Sequence, residues 1–209
     1  ADINNDGYLD AFGCHDDALS RMWTGSANGT LTPAPGLIPL EDYELTDYSG
    51  NDHSGNYGTV FSDFDNDGDI DLFIAKCRQF VNDPYDPRRV NQLWVNDGSG
   101  NFTEEANERG LVFYEQSWTV DFADIDNDGD FDCLITNHST TLYLFENDGL
   151  GYFTNITEGS GLDIEGFFLQ AKMEDFDNDG YVDLVYSGGS HRYLHNNGDK
   201  TFTEIEGVF

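Results

Sequence analysis

Short runs of apolar, β-branched and aromatic residues recur along the chain, each bounded by Gly-, Asn- and Asp-rich segments. Leu72-Phe73-Ile74-Ala75, Cys133-Leu134-Ile135-Thr136 and Leu184-Val185-Tyr186-Ser187 each follow an acidic loop. Val60-Phe61, Val120-Asp121-Phe122 and Met173-Glu174-Asp175-Phe176 lead into or precede one. Runs of this length around a Gly-containing loop predict a β-hairpin rather than a helix. A second signature trails each loop: Leu93 to Glu104, Leu144 to Asn155, Leu194 to Glu204 and a degenerate Trp23 to Thr32. Each contains an Asn-Asp-Gly or Asn-Gly turn between two strand-like runs, a strong hairpin signal. Every repeat of about fifty residues therefore offers four antiparallel strands, the content of one propeller blade.

The predicted fold is all-β: a β-propeller, or an open propeller arc, of four blades in one repeat domain spanning 1–209. The blades run over about 1–35, 57–107, 117–158 and 168–209. The first lacks its leading strand, which leaves a sheet edge open to a donated strand and to head-to-tail assembly. Two insertions interrupt the periodicity, near Asp47–Asn56 and Lys76–Asn91. The second holds Lys76, Arg78, Arg88 and Arg89, together with Pro84 and Pro87. Loops that depart from a repeat are where specific contacts are built; a solvated loop without a partner is the plainer reading. Trp23, Trp94, Phe145 and Leu194 fall at equivalent strand positions and are read as core, and Trp118 is placed ahead of a leading strand.

The acidic loops carry the chemistry. The pattern Asp-x-Asp/Asn-x-Asp-Gly-x-x-Asp occurs four times. Positions 1, 3, 5 and 9 are Asp2, Asn4, Asp6 and Asp10; Asp63, Asp65, Asp67 and Asp71; Asp124, Asp126, Asp128 and Asp132; and Asp175, Asp177, Asp179 and Asp183. Side chains at alternate positions of a tight loop converge. Glycine at position 6 permits the reversal, and the carbonyl at position 7 (Tyr8, Asp69, Asp130, Tyr181) turns inward. Hard oxygen donors in such number predict Ca²⁺, about one ion per repeat and four in all, in preference to Mg²⁺ with its stricter octahedron. An EF-hand would need a glutamate at position 12, where the chain has Gly13, Ile74, Ile135 and Tyr186. Asn4 predicts a weaker first site. Asp-Gly turns without an ion would leave crowded carboxylates repelling one another.

The charge extends beyond the loops: 41 acidic against 9 basic residues, net −32. Such a surface excludes nucleic acid and anionic membrane as partners, and no stretch is apolar enough to insert in a bilayer. The dense aromatic residues argue against disorder. Cys14 and Cys77 occupy comparable places in adjacent repeats, so a bridge between them is one expectation and free thiols the other. Asn28, Asn101, Asn137 and Asn155 head glycosylation sequons. Calcium and an oxidising environment together point outside the cell. His15, His53, His138, His191 and His195 form no catalytic or zinc spacing and are read as surface or core polar residues, so no enzyme is expected.

The combined motifs resemble the FG-GAP/VCBS repeat family, in the version found in ASPIC/UnbV-type extracellular proteins and more distantly in integrin α-subunit propellers. The resemblance spans essentially the whole chain. It implies Ca²⁺ at one rim of each blade, between the first two strands, held by Asp63, Asp65, Asp67, the Asp69 carbonyl, Asp71 and their counterparts. It further implies an adhesive, structural or protein- or carbohydrate-binding module. A self-assembling filament or surface-layer subunit, and a lectin-like module or accessory domain of an enzyme, are the alternatives. The protein or glycan ligand is not named by the sequence.

Overall fold

The computed structural model describes residues 1–16, 18–40, 55–138 and 141–209. The insertion expected near Asp47–Asn56 lies outside them except for its last two positions, as does His53. The described residues form fifteen β-strands and no α-helix. Strands β1 (Ala11–Gly13), β2 (Arg21–Thr24) and β3 (Thr32–Pro33) form a three-stranded sheet. Three four-stranded antiparallel meanders follow. The first contains β4 (Asn56–Ser62), β5 (Asp71–Lys76), β6 (Gln92–Asn96) and β7 (Phe102–Glu104). The next contains β8 (Ser117–Ala123), β9 (Asp132–Asn137), β10 (Tyr143–Asn147) and β11 (Phe153–Asn155). The last contains β12 (Phe168–Glu174), β13 (Asp183–Gly188), β14 (His191–Asn196) and β15 (Phe202–Glu204). These are propeller-type blades, and the first has three strands, as the sequence predicts. Trp118 lies within β8, not ahead of it.

The chain divides into two compact units, Ala1–Asp63 with Asp67–Tyr114, and Phe64–Asn66 with Glu115–Phe209. In the first, Ile3, Met22, Leu72, Ile74 and Trp94 pack into one core drawn from both of its sheets. In the second, Ile125, Leu134, Leu144, Leu184 and Leu194 do the same. The equivalent residues Trp94, Phe145 and Leu194 are buried as expected, while Trp23 is half-buried. Each leading strand carries a register shift against its neighbour: Asn56/Gly58, Ser117/Val120 and Phe168/Gln170. A bulge at the same place in three blades increases the local strand twist.

The basic insertion between β5 and β6 is consumed internally. Arg88 donates to both oxygens of Asp86 at 2.8 and 2.7 Å, and both side chains are almost fully buried. That guanidinium holds the Asp86 carboxyl below its ordinary range. Lys76 is buried, Arg78 meets Asp16 at 3.5 Å, and Arg89 donates to the carbonyls of Val81 and Tyr114. Cys14, Cys77 and Cys133 form no disulfide, which is the second of the two expectations, and Cys14 donates to the Tyr57 carbonyl. Of the sequon asparagines, Asn137 is buried with its amide donating to Thr141 O at 2.8 Å, which removes it as a glycan acceptor in the folded protein. Asn28, Asn101 and Asn155 are exposed.

One polar residue at the end of each third strand joins consecutive repeats. The Asn96 amide donates to Ile3 O at 3.0 Å and Ile70 O at 3.2 Å. Asn147 donates to Phe64 O and Phe131 O at 2.8 and 3.1 Å, and Asn196 to Ile125 O and Val182 O at 2.8 and 2.9 Å. Each therefore ties the acidic loop of its own blade to that of the preceding repeat. The side-chain oxygens accept from the turn glycines Gly98, Gly149 and Gly198, which completes the pairing of a buried amide. Asn147→Ala removes two donors from buried carbonyls and an acceptor from two N–H groups. A loss of about 2–4 kcal/mol in urea-denaturation stability is expected. A change below about 0.5 kcal/mol, the range of ordinary surface substitutions, would contradict this role.

Candidate metal centres

The four acidic loops are built alike from their backbones upward. Glycine at position 6 takes φ of 89°, 93°, 98° and 96° (Gly7, Gly68, Gly129, Gly180), and a Cβ there would meet nothing within 4 Å. The backbone angle, not crowding, selects glycine at this position. The asparagines at position 4 (Asn5, Asn66, Asn127, Asn178) are also left-handed, with φ between 57° and 63°. Asparagine tolerates that region better than other side-chain-bearing residues. Two of them reach the following loop: Asn5 Nδ2 donates to Asp69 Oδ1 at 2.8 Å, and Asn127 Nδ2 to Gly180 O at 3.0 Å. Sequence reasoning passed over position 4, although its recurrence in all four copies was a signal.

Backbone N–H groups hold the carboxylates in place. The position 1 oxygens accept from the N–H groups of positions 5 and 6, as in Asp128 N to Asp124 Oδ1 and Gly129 N to Asp124 Oδ2, both 3.1 Å. The position 5 carboxylate accepts from position 7 at 2.9 Å in Asp6, Asp67 and Asp179 and 3.2 Å in Asp128. The closing aspartates Asp10, Asp71, Asp132 and Asp183 are buried. One oxygen of each accepts from the end of the third strand: Gly25, Asn96, Asn147 and Asn196 donate at 2.8–2.9 Å. In Asp10, Asp132 and Asp183 the other oxygen accepts from the N–H of position 2. Position 7 packs on the second turn: a Cβ on Gly98 would lie 2.2 Å from Asp69 Oδ2, and one on Gly198 2.9 Å from the Tyr181 ring.

This scaffold brings positions 1, 3 and 9 together. In the second, third and fourth loops one oxygen from each of Asp63, Asp65 and Asp71, of Asp124, Asp126 and Asp132, and of Asp175, Asp177 and Asp183 lies within 4.8 Å of the others. These groups are able to hold a metal ion, and their all-oxygen chemistry fits a hard cation such as Ca²⁺. In the first loop Asn4 replaces one carboxylate, and its Oδ1 accepts from Asp6 N at 3.0 Å. Position 5 accepts from the N–H of position 7 within its own turn, and nothing local in the chain marks Lys200 or His195 as a neighbour of the loops. The Lys200 ammonium bridges Asp126 of the third loop and Glu146, and both carboxylates raise its pKa. His195, expected to be an ordinary polar residue, lies against Asp177, Asp179 and Asp183 of the fourth.

Without a cation the third loop is under electrostatic load. Burial pushes the Asp132 carboxyl up to about 7, against the lowering effect of the Asn147 and Ile125 N–H groups. Burial, then the Asp128 charge, pushes Asp130 up to about 6. Both lie above the ordinary carboxylate value, so the folded state keeps protons that the unfolded chain has lost. Their stabilising contribution is complete below about pH 4 and is lost as pH rises towards 7. The chelator-treated protein is expected to lose stability across this window. With Ca²⁺ the slope lessens or reverses, because the ion binds the ionised carboxylates. Urea titrations at several pH values check this, and an ion-free stability that rises from pH 4 to 7 would contradict it.

Eight chains of solved structures match this chain. One comes from work on the structural basis of specific recognition of non-reducing terminal N-acetylglucosamine by a lectin of Agrocybe aegerita. It aligns with a TM-score of 0.54 and 18% identity, over 97% of this chain and 49% of that one, so this chain spans about half the length of the lectin. At that identity the likeness is one of fold. No curated protein matches. The family model for the FG-GAP-like repeat matches three times, over residues 2–74, 63–135 and 126–186. Each match begins at or within one acidic loop and reaches past the next, and together they cover most of the chain, which therefore belongs to the FG-GAP-like repeat family.

Proposed function

We propose that this chain is an extracellular, calcium-stabilised β-propeller module that serves in binding, adhesion or structural assembly rather than in catalysis. The observation that carries the reading is the convergence of carboxylates from positions 1, 3 and 9 in three successive loops, each fixed by backbone N–H groups. Two carboxylates about 4 Å apart repel by roughly 4 kcal/mol at an effective dielectric near 20. A divalent cation reverses that sign and locks the hairpin between the first two strands. The role is architectural: the ion sits where the loop joins its own third strand and, through Asn96, Asn147 and Asn196, the preceding repeat. Asn4 makes the first site the weakest. No described helix is long and apolar enough to cross a membrane.

A glycan is the ligand class favoured for the module. Trp118, His138 and Phe167 form an aromatic cluster with centroids 5.3–5.8 Å apart, and Phe167 is 40% exposed. Half-exposed aromatic faces suit the apolar C–H faces of sugars, and the lectin of like fold supports the same class.

Calorimetric titration of chelator-treated protein is expected to show three or four Ca²⁺ bound per chain. At a hundredfold excess over Kd each occupied site adds about 2.7 kcal/mol of stability, so the melting temperature rises steeply. Glycan-array binding is expected to fall when the ion is removed. An unchanged melting temperature and no heat of binding would overturn the reading.

A further inference from the structure

We propose that Lys200 is a tethered counter-cation of the third acidic loop, whose ammonium supports the loop when no divalent ion is bound and opposes the entry of one. The inference rests on the reading of the loops as calcium sites and concerns how strongly the third depends on the ion.

The second and third loops both read Asp-x-Asp-Asn-Asp-Gly-Asp-x-Asp, from Asp63 to Asp71 and from Asp124 to Asp132, so their own carboxylates are the same. What sets the third apart comes from the following blade of its own compact unit. The turn between β14 and β15 places the Lys200 ammonium 2.5 Å from Asp126 Oδ2 and against Glu146. Asp126 is position 3 of the loop and one of the three residues whose oxygens converge there. Its side chain is 11% exposed and that of Lys200 is 34% exposed. The pair is therefore better shielded than an ordinary surface ion pair, which contributes little. Glu146, the second carboxylate, stands on β10 where the other blades have Thr24, Val95 and His195, so this junction alone offers the ammonium two partners of this kind.

The backbone singles out the same residue. Lys200 takes φ of 67°, and the equivalent turn position in the other four-stranded blades is Gly100, at 83°, and Gly151, at 77°. A residue with a Cβ is disfavoured in that region, so the turn itself selects glycine and not lysine. Glycine carries no side chain, and neither of the other turns presents a cation from this position. An outlier held against its backbone preference points to a role for its side chain. Two cations that share one carboxylate repel each other. Linkage makes the effect reciprocal: the factor by which the ammonium weakens the ion is the factor by which the ion weakens the ammonium's support. An orienting hydrogen bond would act with the opposite sign, since partners outside the ligand shell strengthen metal binding about tenfold or more. Asp126 already accepts from Asp128 N at 3.2 Å through Oδ1, so the ammonium on Oδ2 adds charge more than order.

The test titrates Ca²⁺ into the chelator-treated full chain and follows the NMR amide signals of Gly129 in the third loop and Gly68 in the second. Lys200→Gln is expected to lower the Gly129 midpoint about threefold to tenfold and to leave that of Gly68 in place. Lys200→Arg keeps the charge and is expected to keep the wild-type midpoint. Without the ion, Lys200→Gln is expected to unfold at a lower urea concentration than the wild type, and the gap is expected to narrow in saturating Ca²⁺. Lys200→Gly removes the charge and the backbone cost together. It is expected to match Lys200→Gln in its calcium midpoint and to exceed it in ion-free stability, which separates charge from strain. A Gly129 midpoint that is unchanged or raised in Lys200→Gln would overturn this inference and leave the calcium reading standing. No saturable shift at either glycine of the wild type would overturn both.

Discussion

The buried aspartate that closes each acidic loop is the constraint on which the rest depends. Asp10, Asp71, Asp132 and Asp183 are each the last residue of a loop and lie at or beside the start of the blade's second strand. One carboxylate oxygen takes the N–H at the end of the third strand, and in Asp10, Asp132 and Asp183 the other takes an N–H at the start of the loop. A single side chain thus sets the register between the loop and the hairpin that follows it. Burying a carboxylate is costly unless its lone pairs are used. Here backbone donors use part of that capacity, and the remainder faces the carboxylates of positions 1 and 3. The same geometry that organises the blade therefore creates a deficit of positive charge at its edge.

The four loops meet that deficit with different local chemistry. The first has one carboxylate fewer because of Asn4. The third has an ammonium from the last turn of the next blade, Lys200, on Asp126. The fourth has the imidazole of His195. The repeat fixes the frame, and one or two strand residues per blade adjust what the frame holds. The asparagines that staple neighbouring loops explain why these adjustments sit in a common scaffold: each ties its own loop to the preceding one through paired buried carbonyls.

Much of this was legible in the chain itself. Apolar runs of strand length, Asn-Asp-Gly turns and Asp-Gly loops specify hairpins, and the repeat length specifies the blade. The glycines at position 6 marked the reversal of each loop, and the structure makes that reversal with a positive φ. What escaped notice depends on contacts between distant segments. Nothing local marks Asn147 as a partner of Phe64, or separates the buried Asn137 from the exposed Asn155. His195 was passed over because its ligand-like neighbours are twelve to eighteen residues away across a hairpin, a spacing that matches no linear metal motif. The basic insertion reads from sequence as a solvated loop or a contact loop, and in the structure its charges close on Asp86, Asp16 and backbone carbonyls.

The central claim is that the closing aspartate both pins the hairpin and shares a cation with positions 1 and 3. An anomalous-difference map from crystals grown in Ca²⁺ tests it most directly. The account predicts peaks in the second and third loops within roughly 2.3–2.6 Å of oxygens from Asp63, Asp65 and Asp71, and from Asp124, Asp126 and Asp132. Ordered loops with no peak, or peaks that leave Asp71 and Asp132 outside the coordination shell, would contradict it.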